Sequence, residues 1–252
     1  MKGFERMTDR IWRLQVPFED LYTAVFLLRT AEGDLLADTA TTESDVRERI
    51  LPALHAGGFA PNRIFVSHRH GDHAGGLPYL AAALPHATLH MADPAGLPAH
   101  LAARTVRTAD GMPLGEGITA RRLPGHTADM TGLYDEASRT LLSFDGLQLF
   151  GIGRYGTSVE DLPAYLATLA RLEQTAPAAI IASHEYVDLG AVAAGQAAAA
   201  RYLARCRTAL AALADFASQS GMRDPQTIAA HYRAQSTRPP VPPHTFAAIA
   251  AL

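Results

Sequence analysis

Apolar residues at the start of the chain recur with the period of a strand that has one buried face. Residues 11–16, Ile-Trp-Arg-Leu-Gln-Val, alternate with period two, and residues 24–28 form a compact apolar run. A turn at Gly33-Asp34 then leads into residues 35–38, a third strand, so the opening predicts an antiparallel meander. A helix is expected over residues 44–56, with Thr41 or Thr42 as its cap and Val46, Ile50, Leu51 and Leu54 on one face. Pro52 falls inside it, where a ring without an N–H interrupts a regular helix. Residues 62–67 read as a short buried strand, 77–84 as a helix and 88–91 as another strand.

The pattern then repeats. Residues 118–123, 130–134 and 140–144 read as strands. Ser158-Val159-Glu160-Asp161 has the form of a capping box, opening a helix with Leu162, Tyr165, Leu166, Leu169 and Leu172 along one side. Residues 179–182 are a last apolar strand. This order fits an α+β architecture of two mixed β-sheets packed face to face with helices outside, an αββα sandwich.

From Gly190 the character changes. Alanine-rich sequence runs to about Ser218, with Leu203, Cys206, Leu210, Leu213 and Phe216 at helical spacing, and a second short helix is expected over 225–234. Residues 238–243, Arg-Pro-Pro-Val-Pro-Pro, must be extended. The expectation is a catalytic domain over residues 1–189 and a helical C-terminal extension over 190–252 packed on it.

Composition narrows the classes. Of 252 residues, 48% are hydrophobic and 19% charged, as in soluble globular proteins. A formal net charge of −3 gives no reason to expect nucleic acid as a partner. Cys206 is the single cysteine, so no internal disulfide is available, and on the apolar face of the tail helix it reads as a core residue. The first residues are charged and lack the apolar core of a signal peptide, and no apolar run reaches the ~20 residues a membrane span needs. A cytoplasmic location without membrane contact is expected, and a homodimer is compatible with the sequence.

The chemistry concentrates in residues 68–73, His-Arg-His-Gly-Asp-His. A lone histidine is more often an accident of a surface loop than a ligand. Three of them with an aspartate, directly after an apolar strand, are a different matter. Neutral imidazoles bind zinc and related borderline metals, and a carboxylate adds charge to a dication site. Gly71, Gly75 and Gly76 are expected to give the loop the backbone freedom that close packing around metal requires.

The run Ser67 to Gly76 resembles the signature of the metallo-β-lactamase-fold superfamily. The resemblance extends along the chain. Leu36-Ala37-Asp38-Thr39 is similar to an upstream strand ending in an aspartate that supports the loop. Pro124-Gly125-His126-Thr127 is similar to the segment bearing the next histidine ligand, Ser143-Phe144-Asp145-Gly146 to a strand end with a bridging aspartate, and Ala182-Ser183-His184 to the final ligand strand. The resemblance implies one metal held by His68, His70 and His126, a second held by Asp72, His73 and His184, and Asp145 bridging both. Asp72 and Asp145 would be the catalytic carboxylates, Asp72 both ligating and orienting a hydroxide between the ions. Asp38 would orient a ligand through hydrogen bonds. Two divalent metals are implied, zinc first, with iron or manganese as alternatives. His55, His86, His90, His100, His231 and His244 sit on no matching segment and read as structural or surface residues.

Residues 149–155, Leu-Phe-Gly-Ile-Gly-Arg-Tyr, are similar to the stretch after the bridging aspartate in glyoxalase II and persulfide dioxygenase relatives. That implies Arg154 and Tyr155 at the substrate mouth, although a structural ion pair for Arg154 and simple packing for Tyr155 stand equally open. Tyr186 takes a place near His184 where relatives often have a small residue, which marks it as another pocket residue. The tail lacks the glutathione-contacting pattern of glyoxalase II and offers Arg201, Arg205 and Arg207, facing solvent or an anionic substrate. Gln148 stands where homoserine lactonases carry a tyrosine, which disfavours that subfamily. Strict β-lactam hydrolysis is disfavoured by the absence of an export segment and by the aspartate bridge.

The expectation is a dinuclear, glyoxalase II-like hydrolase that uses a metal-bridging hydroxide on a small-molecule thioester, ester or lactone. The alternatives are a mononuclear iron oxygenase of the persulfide dioxygenase type, with His68, His126 and Asp145 as ligands, a small phosphodiesterase or RNase, and a non-enzymatic regulator that keeps the fold and binds a ligand, against which the intact ligand set argues.

Overall fold

The computed structural model describes residues 3–251; Met1 and Lys2 of the charged N-terminal run and Leu252 of the tail lie outside it. The chain divides into two compact units. One is Met1–Arg122 with Thr131–Ser138, the other Leu123–Met130 with Arg139–Leu252.

The first unit is built on a seven-stranded sheet in sequence order: β1 (Glu5–Arg6), β2 (Ile11–Phe18), β3 (Leu21–Thr30), β4 (Gly33–Ala37), β5 (Pro61–Val66), β6 (Thr88–Met91) and β7 (Thr105–Arg107). The expected three-strand meander is β2 through β4, and the two-residue β1, which was not expected, adds antiparallel to its edge. Glu19, at a φ of 52°, and Asp20 close the two-residue turn between β2 and β3. From β4 onward the strands are parallel, because helices carry the chain back between them. One face of this sheet supplies Leu14, Val16, Val25, Leu27, Ile64 and Val66 to the core, the alternation expected of strands.

The crossover between β4 and β5 departs from a plain helix. Thr42 caps α1 (Glu43–Asp45) in a capping box closed by Asp45, Val46–Ile50 is π-helical, and α2 (Leu51–Ala56) follows. Pro52 explains the widening: it has no N–H for the carbonyl of residue 48, its ring crowds that carbonyl, and the Leu51 N–H bonds instead to Val46 O. Between β5 and β6 come α3 (Gly71–Ala74) and α4 (Leu77–Ala83), and between β6 and β7 the short α5 (Ala99–Ala102), which the alternation of apolar positions does not reveal.

The remaining five strands make the second sheet. The antiparallel pair β8 (Ile118–Arg122) and β9 (Thr131–Asp135) belongs to the first unit. In the second unit, β10 (Thr140–Phe144) runs parallel to β11 (Ala179–Ala182), and β12 (Val192–Ala194) adds antiparallel to β11. The connection is α6 (Leu162–Thr175), whose cap is Asp161 accepting from the Ala164 N–H. The capping box expected at Ser158 is therefore displaced: Pro163 forces the helix to begin one turn later, and Ser158 serves elsewhere. With two mixed sheets, helices and a helical C-terminus, the fold is the expected α+β class.

The tail forms α7 (Gln196–Ser220), α8 (Pro225–Gln235) and a third helix, α9 (Pro243–Ala250), that was not expected. Residues 239–242 are neither helix nor strand, as the prolines dictate, whereas Arg238 lies in a bend and Pro243, expected to be extended, opens α9. Leu213, Ile228, Tyr232, Val241 and Phe246 form a core of their own, with Phe216 packed edge-on to Tyr232. Arg207 on α7 pairs with Glu173 on α6 at 2.6 Å. Cys206 is buried, and burial pushes its thiol up to about 12, as befits a core residue. No described helix is long and apolar enough to cross a membrane.

Candidate metal centre

In the first unit, the cluster 68–73 follows β5, and α3 winds His73 back beneath His68; the two rings lie 4.3 Å apart and His68 and His70 4.6 Å apart. Asp38 organises this loop from the end of β4. It sits at a φ of 65°, a conformation that aspartate tolerates better than most residues, and its backbone N–H bonds to Phe65 O. Its carboxylate takes the Ser67 N–H at 2.8 Å, the Ser67 hydroxyl at 2.9 Å and His73 Nδ1 at 2.7 Å. Burial pushes the Asp38 carboxyl above its ordinary value, while the His73 and Ser67 contacts pull it back.

These bonds settle two tautomers. The carboxylate can only accept, so His73 carries its proton on Nδ1. The Ser67 hydroxyl spends its proton on Asp38 and therefore accepts from His68 Nδ1 at 2.9 Å. Both Nε2 atoms are left as lone pairs. Thr23 on β3 donates to Asp72 Oδ2 at 2.9 Å and so turns that carboxylate, whose Oδ2 stands 3.2 Å from His73 Nε2. Two acceptors that close are stable only with a proton or a cation against both. That is the donor chemistry of a metal site, and the residues fit divalent metal.

The glycines act differently from expectation. Gly71 has open space around it. Gly75 and Gly76 are required because a Cβ would lie 2.3 Å from Thr41 O and 2.1 Å from Thr39 O; they admit the passing backbone rather than supply freedom.

In the second unit, His126 lies on the loop between Leu123 and Met130. Gly125, at a φ of 138°, lets this loop press against α6, and its carbonyl accepts from Glu160 and Asp161 N–H groups. His126 Nδ1 donates to the carbonyl of Ser158 at 2.8 Å, so here too Nε2 carries the lone pair. A bulge in β10 and a left-handed Phe144 (φ 47°) turn Asp145 out of the strand. Its two oxygens then face different histidines: Oδ1 is 3.3 Å from His184 Nε2 and Oδ2 is 3.9 Å from His126 Nε2. A carboxylate presented in this way suits two cations at once.

Gln148, which the sequence marked only as a departure, ties this half together. Its amide donates to the Asp145 carbonyl at 3.1 Å and to the Tyr186 hydroxyl at 3.3 Å, and its carbonyl accepts the Ser158 N–H at 3.0 Å. Tyr186 is buried beside His184, its phenol held well above the ordinary value by burial and the Asp145 charge. Arg154 and Tyr155 are exposed, the guanidinium 5.6 Å from the ring centroid, and line a cavity of about 650 Å³ with Arg233, Val241 and His244. His244, read from sequence as structural or surface, bonds through Nε2 to Ser158 Oγ at 2.9 Å.

Thus the first unit gathers His68, His70, Asp72 and His73, and the second His126, Asp145 and His184. Among the described residues, the donor groups that could hold an ion are drawn entirely from these seven side chains. The supporting roles of Thr23, Ser67, Gln148 and Ser158 were missed: Ser67 and Gln148 stood next to marked segments, Ser158 was read as a helix cap, and Thr23 had no signal.

Comparison with known proteins agrees. Residues 19–184 match the model of the metallo-beta-lactamase superfamily. A hydroxyacylglutathione hydrolase from Methylococcus capsulatus is 30% identical over 71% of this chain and 68% of its own length. An atrochrysone carboxyl ACP thioesterase from Claviceps purpurea is 24% identical over 67% of this chain and 54% of its own; the chain spans about half the length of such fungal relatives. In fold, a metallo-beta-lactamase from Pontibacter korlensis covers 81% of this chain and 98% of its own, with a TM-score of 0.61 at 18% identity. One from Erythrobacter litoralis covers 81% and 96%, with a TM-score of 0.62 at 15% identity. On the match over residues 19–184 and the relative 30% identical over more than two thirds of its length, this chain belongs to the metallo-beta-lactamase superfamily.

Proposed function

We propose that the chain is a metal-dependent hydrolase whose seven donors form one two-metal centre. His68, His70 and His126 would hold one ion and Asp72, His73 and His184 the other, with Asp145 shared. The observation that carries this reading is the aim of Asp145, one oxygen toward His184 and the other toward His126. Divalent ions bound there lower the pKa of the water they hold, to ~7 at zinc, and polarise a carbonyl. The chain's own part is orientation. Asp38 and the Ser158 carbonyl fix the His73 and His126 tautomers, and Thr23 sets the Asp72 carboxylate, which would accept the proton of an attacking water.

Thioesters come first among the substrates, ahead of esters and lactones, because relatives are named as a thioesterase and as a hydroxyacylglutathione hydrolase. The cavity bearing Arg154 and Tyr155 would seat the part of the substrate away from the reacting carbonyl, with Tyr186 buried behind His184 to back the site. Its lining by Arg233, Val241 and His244 also favours the reading of residues 190–252 as an extension of the catalytic domain. Zinc suits the histidine-rich set, and a location in the cytoplasm fits the reduced cysteine.

The test is metal quantification on purified protein, together with turnover of a thioester, a lactone and a phosphodiester. Two equivalents of divalent metal and preferred thioester cleavage are expected. One iron per chain with sulfide-linked oxygen uptake would overturn the hydrolase reading, and preferred phosphodiester cleavage would overturn the substrate class.

A further inference from the structure

We infer that Thr245, in the C-terminal tail, is a positioning residue for His126: its hydroxyl clamps the backbone on both sides of Ser158, whose carbonyl holds the His126 ring. The inference rests on the proposed role of His126 as a metal ligand.

Thr245 lies in the first turn of α9 and is wholly buried. Its Oγ1 accepts the Val159 N–H at 3.0 Å and donates to the Thr157 carbonyl at 3.1 Å. One hydroxyl thus grips the residues before and after Ser158. The Ser158 carbonyl between them takes the Nδ1 proton of His126 at 2.8 Å. The tail holds the same segment at two further points: Gly156 N–H bonds to Pro240 O at 3.0 Å, and Ser158 Oγ meets His244 Nε2 at 2.9 Å. Gly156 has to be glycine for this, since a Cβ would lie 2.4 Å from Pro240 O.

On its other side, the segment is fastened to the His126 loop. The Glu160 and Asp161 N–H groups both reach Gly125 O, at 2.8 and 3.1 Å. A displacement of residues 157–159 is therefore passed to the histidine rather than absorbed between them. Thr157 and Val159 are buried, so water has no ready path to replace the Thr245 hydroxyl. Without it, a buried donor and a buried acceptor lose their partners and the segment must move to find others. The Ser158 carbonyl moves with it, and the hydrogen bond that fixes the His126 tautomer and ring plane weakens with misalignment.

The discriminating pair is Thr245→Val, which keeps the shape and deletes the hydroxyl, and Thr245→Ser, which keeps the hydroxyl. Metal-free protein is titrated with zinc against a chromophoric chelator and, separately, with cobalt(II) to read its visible absorption. T245V is expected to weaken one of two zinc equivalents about tenfold and to alter the cobalt spectrum, with T245S restoring both. His126→Ala identifies the affected equivalent. A T245V protein that melts earlier yet binds both ions with wild-type affinity and an unchanged cobalt spectrum overturns the inference, since Thr245 then only anchors the tail. If H126A binds both ions like wild type, the metal assignment itself is wrong and the inference falls with it.

Should T245V not fold, wild-type protein supplies the test through reciprocity, because a contact that aids metal binding must be tightened by metal. Zinc loading is expected to slow hydrogen exchange at the Val159 amide. An unchanged exchange rate there on loading overturns the inference.

Discussion

Asp38 Oδ2 and His73 Nδ1 lie 2.7 Å apart, and neither side chain reaches solvent. The carboxylate also collects both donors of Ser67, so one buried anion sets His73 directly and His68 through the serine hydroxyl. Asp38→Asn should keep the backbone, since asparagine also adopts a positive φ. Its NH2 must stand either against the Ser67 N–H, in the place of Oδ1, or against both Ser67 Oγ and His73 Nδ1, in the place of Oδ2. The first sets donor against donor and loosens the loop; in the second, His73 keeps a partner only by moving its proton to Nε2, the atom proposed to bind metal. Zinc affinity is expected to fall by about 10- to 100-fold, while the metal-free protein melts close to wild type. Wild-type zinc affinity in D38N would show that the tautomer is set by something else.

Asp145→Ala tests the shared carboxylate. Each of its oxygens faces a different histidine, so its removal should strip charge from both ions. Metal content after gel filtration is expected to drop at both equivalents, and turnover with it. Losing one equivalent alone would mean that Asp145 serves a single ion. Full content with full turnover would remove it from the site.

Much of this candidate centre is legible because its donor side chains sit where local sequence controls geometry. An apolar strand, β5, delivers His68, and a glycine-bracketed turn winds His73 back under it. The ends of β10 and β11 could be read in the same way, though the bulge and the left-handed Phe144 that aim Asp145 could not. What escaped was long-range. Thr23 reaches Asp72 from 49 positions away, and Thr245 reaches Val159 from 86. Neither pairing leaves a mark in the periodicity of its own segment. The capping box at Ser158 misled for a related reason. Its residue types suit a helix start, but Asp161 next to Leu162-Pro163 is the better cap, which frees Ser158 to accept from His126 through its carbonyl and to donate its N–H to Gln148.

Away from the centre, Asp135 ties the chain's start to β9. Burial pushes its carboxyl up, but the bonds from Arg10 and Ser138 outweigh this and hold it below the ordinary value of 3.8. A group with a depressed folded pKa stabilises the fold above its unfolded pKa, and that contribution is lost as pH falls through the folded value. Asp135→Asn, which cannot ionise, should therefore lower the urea midpoint clearly at about pH 6 and progressively less below about pH 4. A gap that stays constant down to about pH 2 would mean that the charge of Asp135 contributes nothing and that only its shape matters.

Gly125 separates two costs usually confounded at glycine. At a φ of 138° any side chain is strained, and a Cβ would also lie 2.5 Å from the Cα of Tyr165 on α6. Gly111 offers the control: its φ is 74°, and a Cβ there meets nothing within 4 Å. Gly111→Ala should cost only the left-handed penalty, about 1 kcal/mol. Gly125→Ala adds a collision with helix backbone that cannot rotate away, for a total of about 2–4 kcal/mol. Because the Gly125 carbonyl also receives Glu160 and Asp161, relief of that collision must part the His126 loop from the Ser158 segment. G125A is thus expected to lose zinc affinity as well as stability, whereas G111A loses a little stability alone. Equal stability losses in the two variants, with zinc binding intact in both, would show that the loop yields at Gly125 without disturbing His126.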